Sequence, residues 1–97
     1  MVIDLSLRNT ALYKGCEIEE VAGRLNLKTP VAEGVTLIGR NIAAIVQAIP
    51  PEARGSVTLT GPMAVWAYLI TFHAVVHTFS EVSYFDGKNI VVLARHG

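Results

Sequence analysis

Charge is scarce in this 97-residue chain: 16% of its residues are Asp, Glu, Lys or Arg, and 8 basic side chains balance 8 acidic ones. Without a basic excess or a charged block there is no electrostatic footprint for duplex DNA, so any nucleic-acid contact is expected to be local. The one cysteine, Cys16, leaves no internal disulfide. The opening Met1-Val2-Ile3-Asp4 has neither the basic start nor the apolar run of a secretory leader, and a cytoplasmic location is the expectation. Linkers, repeats and low-complexity segments are missing too, which predicts a single domain over 1–97. The longest uncharged interval lies between Arg54 and Glu81. It contains Gly55, Gly61, Pro62, His73 and His77, its helical part is short for a bilayer, and no basic cluster flanks it, so no membrane contact is expected. What the chain does have is apolar residues, 52% of the total, with a mean hydropathy of +0.45. That content excludes disorder and exceeds what so small a core hides, which predicts a homo-oligomer.

Val2 to Arg8 alternates apolar and polar residues, the period of a half-buried strand. Leu12 to Leu27 is mixed and interrupted by Gly15 and Gly23, fitting one or two short strands better than a helix. Val35 to Ile49 places Leu37, Ile38, Ile42, Ile45, Val46 and Ile49 at helical spacings before Pro50-Pro51. Ser56 to Thr60 reads as a strand, and Gly61-Pro62 as the opening of a second helix that runs to about Thr78. Val82 to Phe85 and Ile90 to Ala94 flank Asp86-Gly87-Lys88-Asn89, a hairpin turn. The predicted fold is α/β, a single domain with a mixed β-sheet, two main helices and a C-terminal β-hairpin. Its strand–helix–strand unit from Ser56 to Phe85 makes a right-handed parallel crossover.

On the second helix Trp66, His73 and His77 share one stripe, most simply a core-facing one with His73 as a packing residue. His77 ends the helix, where exposure is expected and the negative helix end favours a cation. The hairpin returns His96 to the same pole, and two imidazoles there could hold a divalent metal, although a penultimate residue can equally be a frayed tail. The opposite pole collects Thr60-Gly61-Pro62, the N-terminus of the second helix and the Asp86-Gly87-Lys88 turn. Phosphate would be attracted to the helix amides, Gly61 permits close approach, and Lys88 adds charge; the same residues are also ordinary turn formers. A strand rising about 3.3 Å per residue separates His77 from Asp86 by roughly 15–20 Å, so the two can share a reaction only between subunits stacked head to tail.

From Gly55 onward the chain shows Leu59-Thr60-Gly61-Pro62, then Trp66-Ala67-Tyr68-Leu69, with His73 seven residues beyond Trp66. His77 follows, then the run Val82-Ser83-Tyr84-Phe85-Asp86-Gly87-Lys88, and Val91-Val92-Leu93 closed by His96. On these residues the segment from Gly55 to Gly97 resembles the small CRISPR-associated ring nucleases of type III systems, a family also described as manganese-dependent RNA exonucleases. Thr78 stands where the family has proline, Gly87-Lys88 replaces Pro-Arg, and the two helix histidines lie one residue further apart. The resemblance implies a homodimer, stacking into tetramers, that binds cyclic tetra-adenylate or short RNA and linearises the ring to end antiviral signalling. It implies His77 as the catalytic or metal-associated histidine and Asp86 as the matching acid. Lys88 stands in for the family's arginine beside Thr60 and Gly61, and His96 supports a manganese ion. Lysine keeps the charge but lacks the bidentate fork. The alternatives are a non-catalytic module that sequesters the oligoadenylate, and a structural subunit whose apolar stripe serves packing alone.

Overall fold

The computed structural model describes residues 1–96; Gly97, at the end of the expected domain and of the family resemblance, lies outside them. Three strands run parallel in a mixed sheet ordered β1-β4-β5-β6: β1 (Val2–Asp4), β4 (Ser56–Thr60) and β5 (Glu81–Phe85), with β6 (Ile90–Arg95) antiparallel at the edge. A separate two-stranded hairpin pairs β2 (Ile18–Val21) with β3 (Arg24–Leu27). The helices α1 (Val31–Gln47) and α2 (Val65–Val76) pack on each other. Both parallel crossovers step the same way across the sheet, β1 to β4 and β4 to β5; connections of one hand then put both helices on one face, as the α1–α2 packing requires. The expected fold class is the observed one.

Alternation along the strands defines the core. Ile3, Val57, Leu59 and Val82 are buried, while Asp4 and Ser56 are exposed. Register puts Tyr84 opposite Leu59, on the helix side, and there its ring meets Tyr68 of α2 edge-on at 5.4 Å. The other sheet face carries short polar side chains, among them Thr58 and the buried Ser83. Two layers account for the molecule's short 19 Å dimension.

α1 starts a turn before its expected Val35, immediately after Pro30, whose missing N–H is harmless at a helix entry. It buries Gly34, Ile38, Asn41, Ile42 and Val46 on one stripe. Gly34 is where Trp66 crosses: a Cβ there would stand 3.1 Å from the indole. Asn41 is buried and donates both amide hydrogens, to Leu12 O at 2.8 Å and Lys14 O at 2.9 Å, tying the N-terminal loop to α1. Tyr13 adds a second tie through its hydroxyl to Leu5 O.

Three expectations are corrected. The first strand stops at Asp4 rather than Arg8, because the Asp4 carboxylate accepts the Ser6 amide at 2.8 Å and the Ser6 hydroxyl at 2.9 Å, bending the chain. Pro62 does not open α2; the helix begins three residues later at Val65, after an extended Ala64. Finally, the stripe that α2 buries is Ala67, Thr71 and Val75. His73 is exposed rather than a core residue, since the core side of α2 faces the sheet and α1 and leaves both helix histidines toward solvent. Among the described residues no helix is long and apolar enough to cross a membrane.

Candidate functional site at two poles of the sheet

At one pole, α2 ends on His77, with φ −84° and ψ −8°. The amides of Thr78 and Phe79 both bond to Val75 O, folding the chain back so that buried Phe79 plugs the end of the core and β5 starts at Glu81. β6 returns alongside: its last residue, Arg95, lies opposite Glu81, and the next amide, that of His96, donates to Ser80 O at 2.7 Å. That bond continues the ladder and holds the backbone of His96 in place. His77, Thr78, Ser80 and His96 consequently line one cleft of about 330 Å³. One turn up α2, the His73 ring stands edge-on to His77 with centroids 5.3 Å apart, and all three imidazoles are exposed.

Within one protomer the nitrogen donors that line this cleft are His77 and His96. Among the described residues no group of three or more His, Cys, Asp or Glu is placed to hold an ion. Glu81, an acid at this pole, is taken by Arg95, whose Nε and Nη2 stand 2.9 and 2.8 Å from Oε1. Manganese favours oxygen ligands, and two imidazoles alone do not supply them.

At the other pole, Thr60, Gly61 and Pro62 face Tyr84, Phe85, Asp86 and Gly87 across a hollow of about 400 Å³. The Thr60 hydroxyl donates to Phe85 O at 3.0 Å and clamps the two strand ends together. Gly61 adopts φ +104°, and a Cβ there would collide with Asp4 Oδ1 and stand 2.9 Å from the Ser6 amide nitrogen. Only glycine fits this position. Its carbonyl accepts the Tyr68 hydroxyl, whose pKa is pushed up to about 12, first by burial and then by Tyr84 and Asp4. α2 begins three residues beyond Pro62, with no side-chain cap and no acidic residue in its first turn.

Asp86 organises its own turn: Oδ1 accepts the amides of Asn89 at 2.7 Å and Lys88 at 2.8 Å. Those two bonds, that of Asn89 first, hold the carboxyl below the usual aspartate range. The group is therefore a carboxylate at neutral pH, able to accept a hydrogen bond or hold a cation through Oδ2 but not to donate a proton. Lys88 is exposed on the same turn and has no ion-pair partner among the described residues. Burial pushes the Cys16 thiol up, which disfavours its thiolate.

The site residues divide into His77 with His96 at the start of β5 and Thr60, Gly61, Asp86 and Lys88 at its end. Five strand residues separate them, on the order of 15–20 Å. Arg8 and Arg24, which sequence reading passes over as site residues, line a hollow that shares Pro62 with the one at the second pole. The tip of the β2–β3 hairpin brings Gly23, Arg24 and Leu25 against Ser6, Leu7, Arg8 and Pro62 around a hollow of about 500 Å³. The available signal was the two-residue Ala22-Gly23 connection between two four-residue runs. Comparison with protein-family models, with curated proteins and with solved structures gives no match to this chain, so its functional reading rests on the residues themselves.

Proposed function

We propose that the protein is a nuclease that opens a phosphodiester bond in a small cyclic or short RNA, with cyclic tetra-adenylate as the substrate that the family resemblance names. The observation that carries this reading is the cleft where His77 and His96, distant in sequence, stand together at one pole while Asp86 and Lys88 stand at the other. In RNA the 2′-hydroxyl beside each phosphate is a built-in nucleophile: it bonds to phosphorus as the P–O5′ bond breaks, so a protein has to position it in line, take its proton, offset charge on the non-bridging oxygens and return a proton to the leaving 5′-oxygen, which leaves a 2′,3′-cyclic phosphate. An exposed imidazole is suited to moving that proton, which is the role given to His77. Lys88 and the uncapped amides of α2 hold phosphate oxygens. Asp86 orients the Lys88 amide and hence the turn. A manganese ion would need oxygen donors from a second protomer beside His77 and His96, and no step above depends on it.

Bringing both poles to one substrate requires protomers to meet, as dimers that stack head to tail. Apolar surface is available for self-association: Ile90, Val91, Val92 and Leu93 of the edge strand are 46–66% exposed, and Leu69 of α2 is 62% exposed. Such an edge is a natural place for a second copy to pair. Incubating cyclic tetra-adenylate with the protein and separating the products by chromatography tests the reading. Linear product is expected from the wild type, and its loss in His77→Ala with an unchanged melting temperature. Undiminished cleavage by that variant rejects the role of His77. The second reading, a sequestering module, is favoured by the occupation of Asp86 Oδ1 with turn amides, and it returns the ring intact.

A further inference from the structure

We infer that Arg8 and Arg24 form an anion seat for a phosphodiester group of a bound oligonucleotide, on the far side of Pro62 from the Asp86 turn. Both line the hollow between the hairpin tip and the β4–α2 connection, and both are exposed. Neither guanidinium has a hydrogen-bond or ion-pair partner among the described residues. Two other arginines are committed, Arg54 to the carbonyls of Ile49 and Val46 and Arg95 to Glu81. Asp4 spends both carboxylate oxygens on Ser6, and Glu20 lies opposite Leu25 on the hairpin but outside the lining. The hollow thus combines two uncommitted forks with no acid in its lining, and Arg forks match phosphate oxygens bidentately. It adjoins the Thr60–Asp86 hollow through Pro62, which lines both. A chain of phosphates entering at Lys88 would find its next contact at Arg24 and Arg8.

The ligand class rests on the proposed function; the geometry does not. Binding of labelled linear tetra-adenylate and of cyclic tetra-adenylate is measured by fluorescence anisotropy over a range of salt. Wild type is compared with Arg8→Gln/Arg24→Gln and with Lys14→Gln/Arg40→Gln, which removes the same two charges beside α1. The first double variant is expected to lose about tenfold or more in affinity for the linear probe. Its salt slope should fall by about 1.4, the value for two single-strand phosphate contacts. The second variant should stay close to wild type. Equal loss in both variants, or none in the first, overturns the seat. Wild type binding the linear probe through the arginines but leaving the ring uncut upholds the seat and rejects the nuclease. Ring cleavage with unchanged binding in Arg8→Gln/Arg24→Gln does the reverse, and failure of the wild type to bind either probe rejects both.

Discussion

Asp86, read in the sequence as the acid of the site, also builds the turn it sits on. Its Oδ1 accepts two turn amides, so the ionised form is favoured in the folded chain and its pKa sits below the ordinary value of 3.8. A depressed carboxylate adds stability that is present above the unfolded pKa and is lost as pH falls through the folded one. The amides of Lys88 and Asn89, followed by NMR, should therefore shift with a midpoint below the ordinary aspartate range, and Asp86→Asn should remove that titration. A midpoint at or above that range contradicts the turn bonds. Thr71 is fully buried on α2, and its hydroxyl has no hydrogen-bond partner among the described residues. Deleting an unsatisfied buried hydroxyl while keeping the shape removes a desolvation cost, so Thr71→Val should raise unfolding free energy by about 1 kcal/mol. Denaturant unfolding at constant slope measures it, and a loss of stability indicates a partner for the hydroxyl.

The β2–β3 hairpin turns through Ala22 and Gly23, both at positive φ, 52° and 78°. Two central residues at positive φ mark the turn type that matches strand twist and that Asn-Gly favours. Alanine in the left-handed region costs roughly 1–2 kcal/mol, part of which asparagine recovers. Ala22→Asn should accordingly stabilise the chain by up to about 1 kcal/mol, read as a higher denaturant midpoint. No gain would place the strain elsewhere. The same alanine explains why this hairpin was only partly legible: its turn lacks the usual residue pair, and one of its strands, Ile18–Val21, carries two adjacent glutamates that break the alternation. Elements with strong local rules were read closely, β4 at its observed limits and α1 from its apolar spacing. Faces were harder. α2 is apolar nearly all round, so period alone could not say that Thr71 would be buried and His73 exposed; that depends on the angle at which α1, with Gly34 under Trp66, meets it. The pairing of His77 with His96 was legible because strand direction, not side-chain preference, decides it. Arg8 and Arg24 were not, since their meeting depends on where the hairpin folds back.

A protomer with extents of 43 × 29 × 19 Å keeps its imidazole cleft and its Asp86 turn at opposite ends of β5, and no small motion of a two-layer fold closes that gap. A site that needs both must therefore be heterologous, with one pole from each of two chains. This gives a prediction that a self-contained site does not share. His77→Ala and Asp86→Ala should each be inactive alone, the first through loss of its imidazole and the second through collapse of the turn that carries Lys88. Mixed in equal amounts and allowed to exchange subunits, they form some junctions in which the intact His77 of one variant faces the intact Asp86 of the other. Random assembly makes such junctions about one quarter of the total, so the mixture should recover about a quarter of wild-type ring opening. The recovery should peak at equal proportions and vanish when either variant is in large excess. A mixture as inactive as its components, under conditions where labelled subunits demonstrably exchange, means that each protomer works alone and that the two poles do not meet on one substrate.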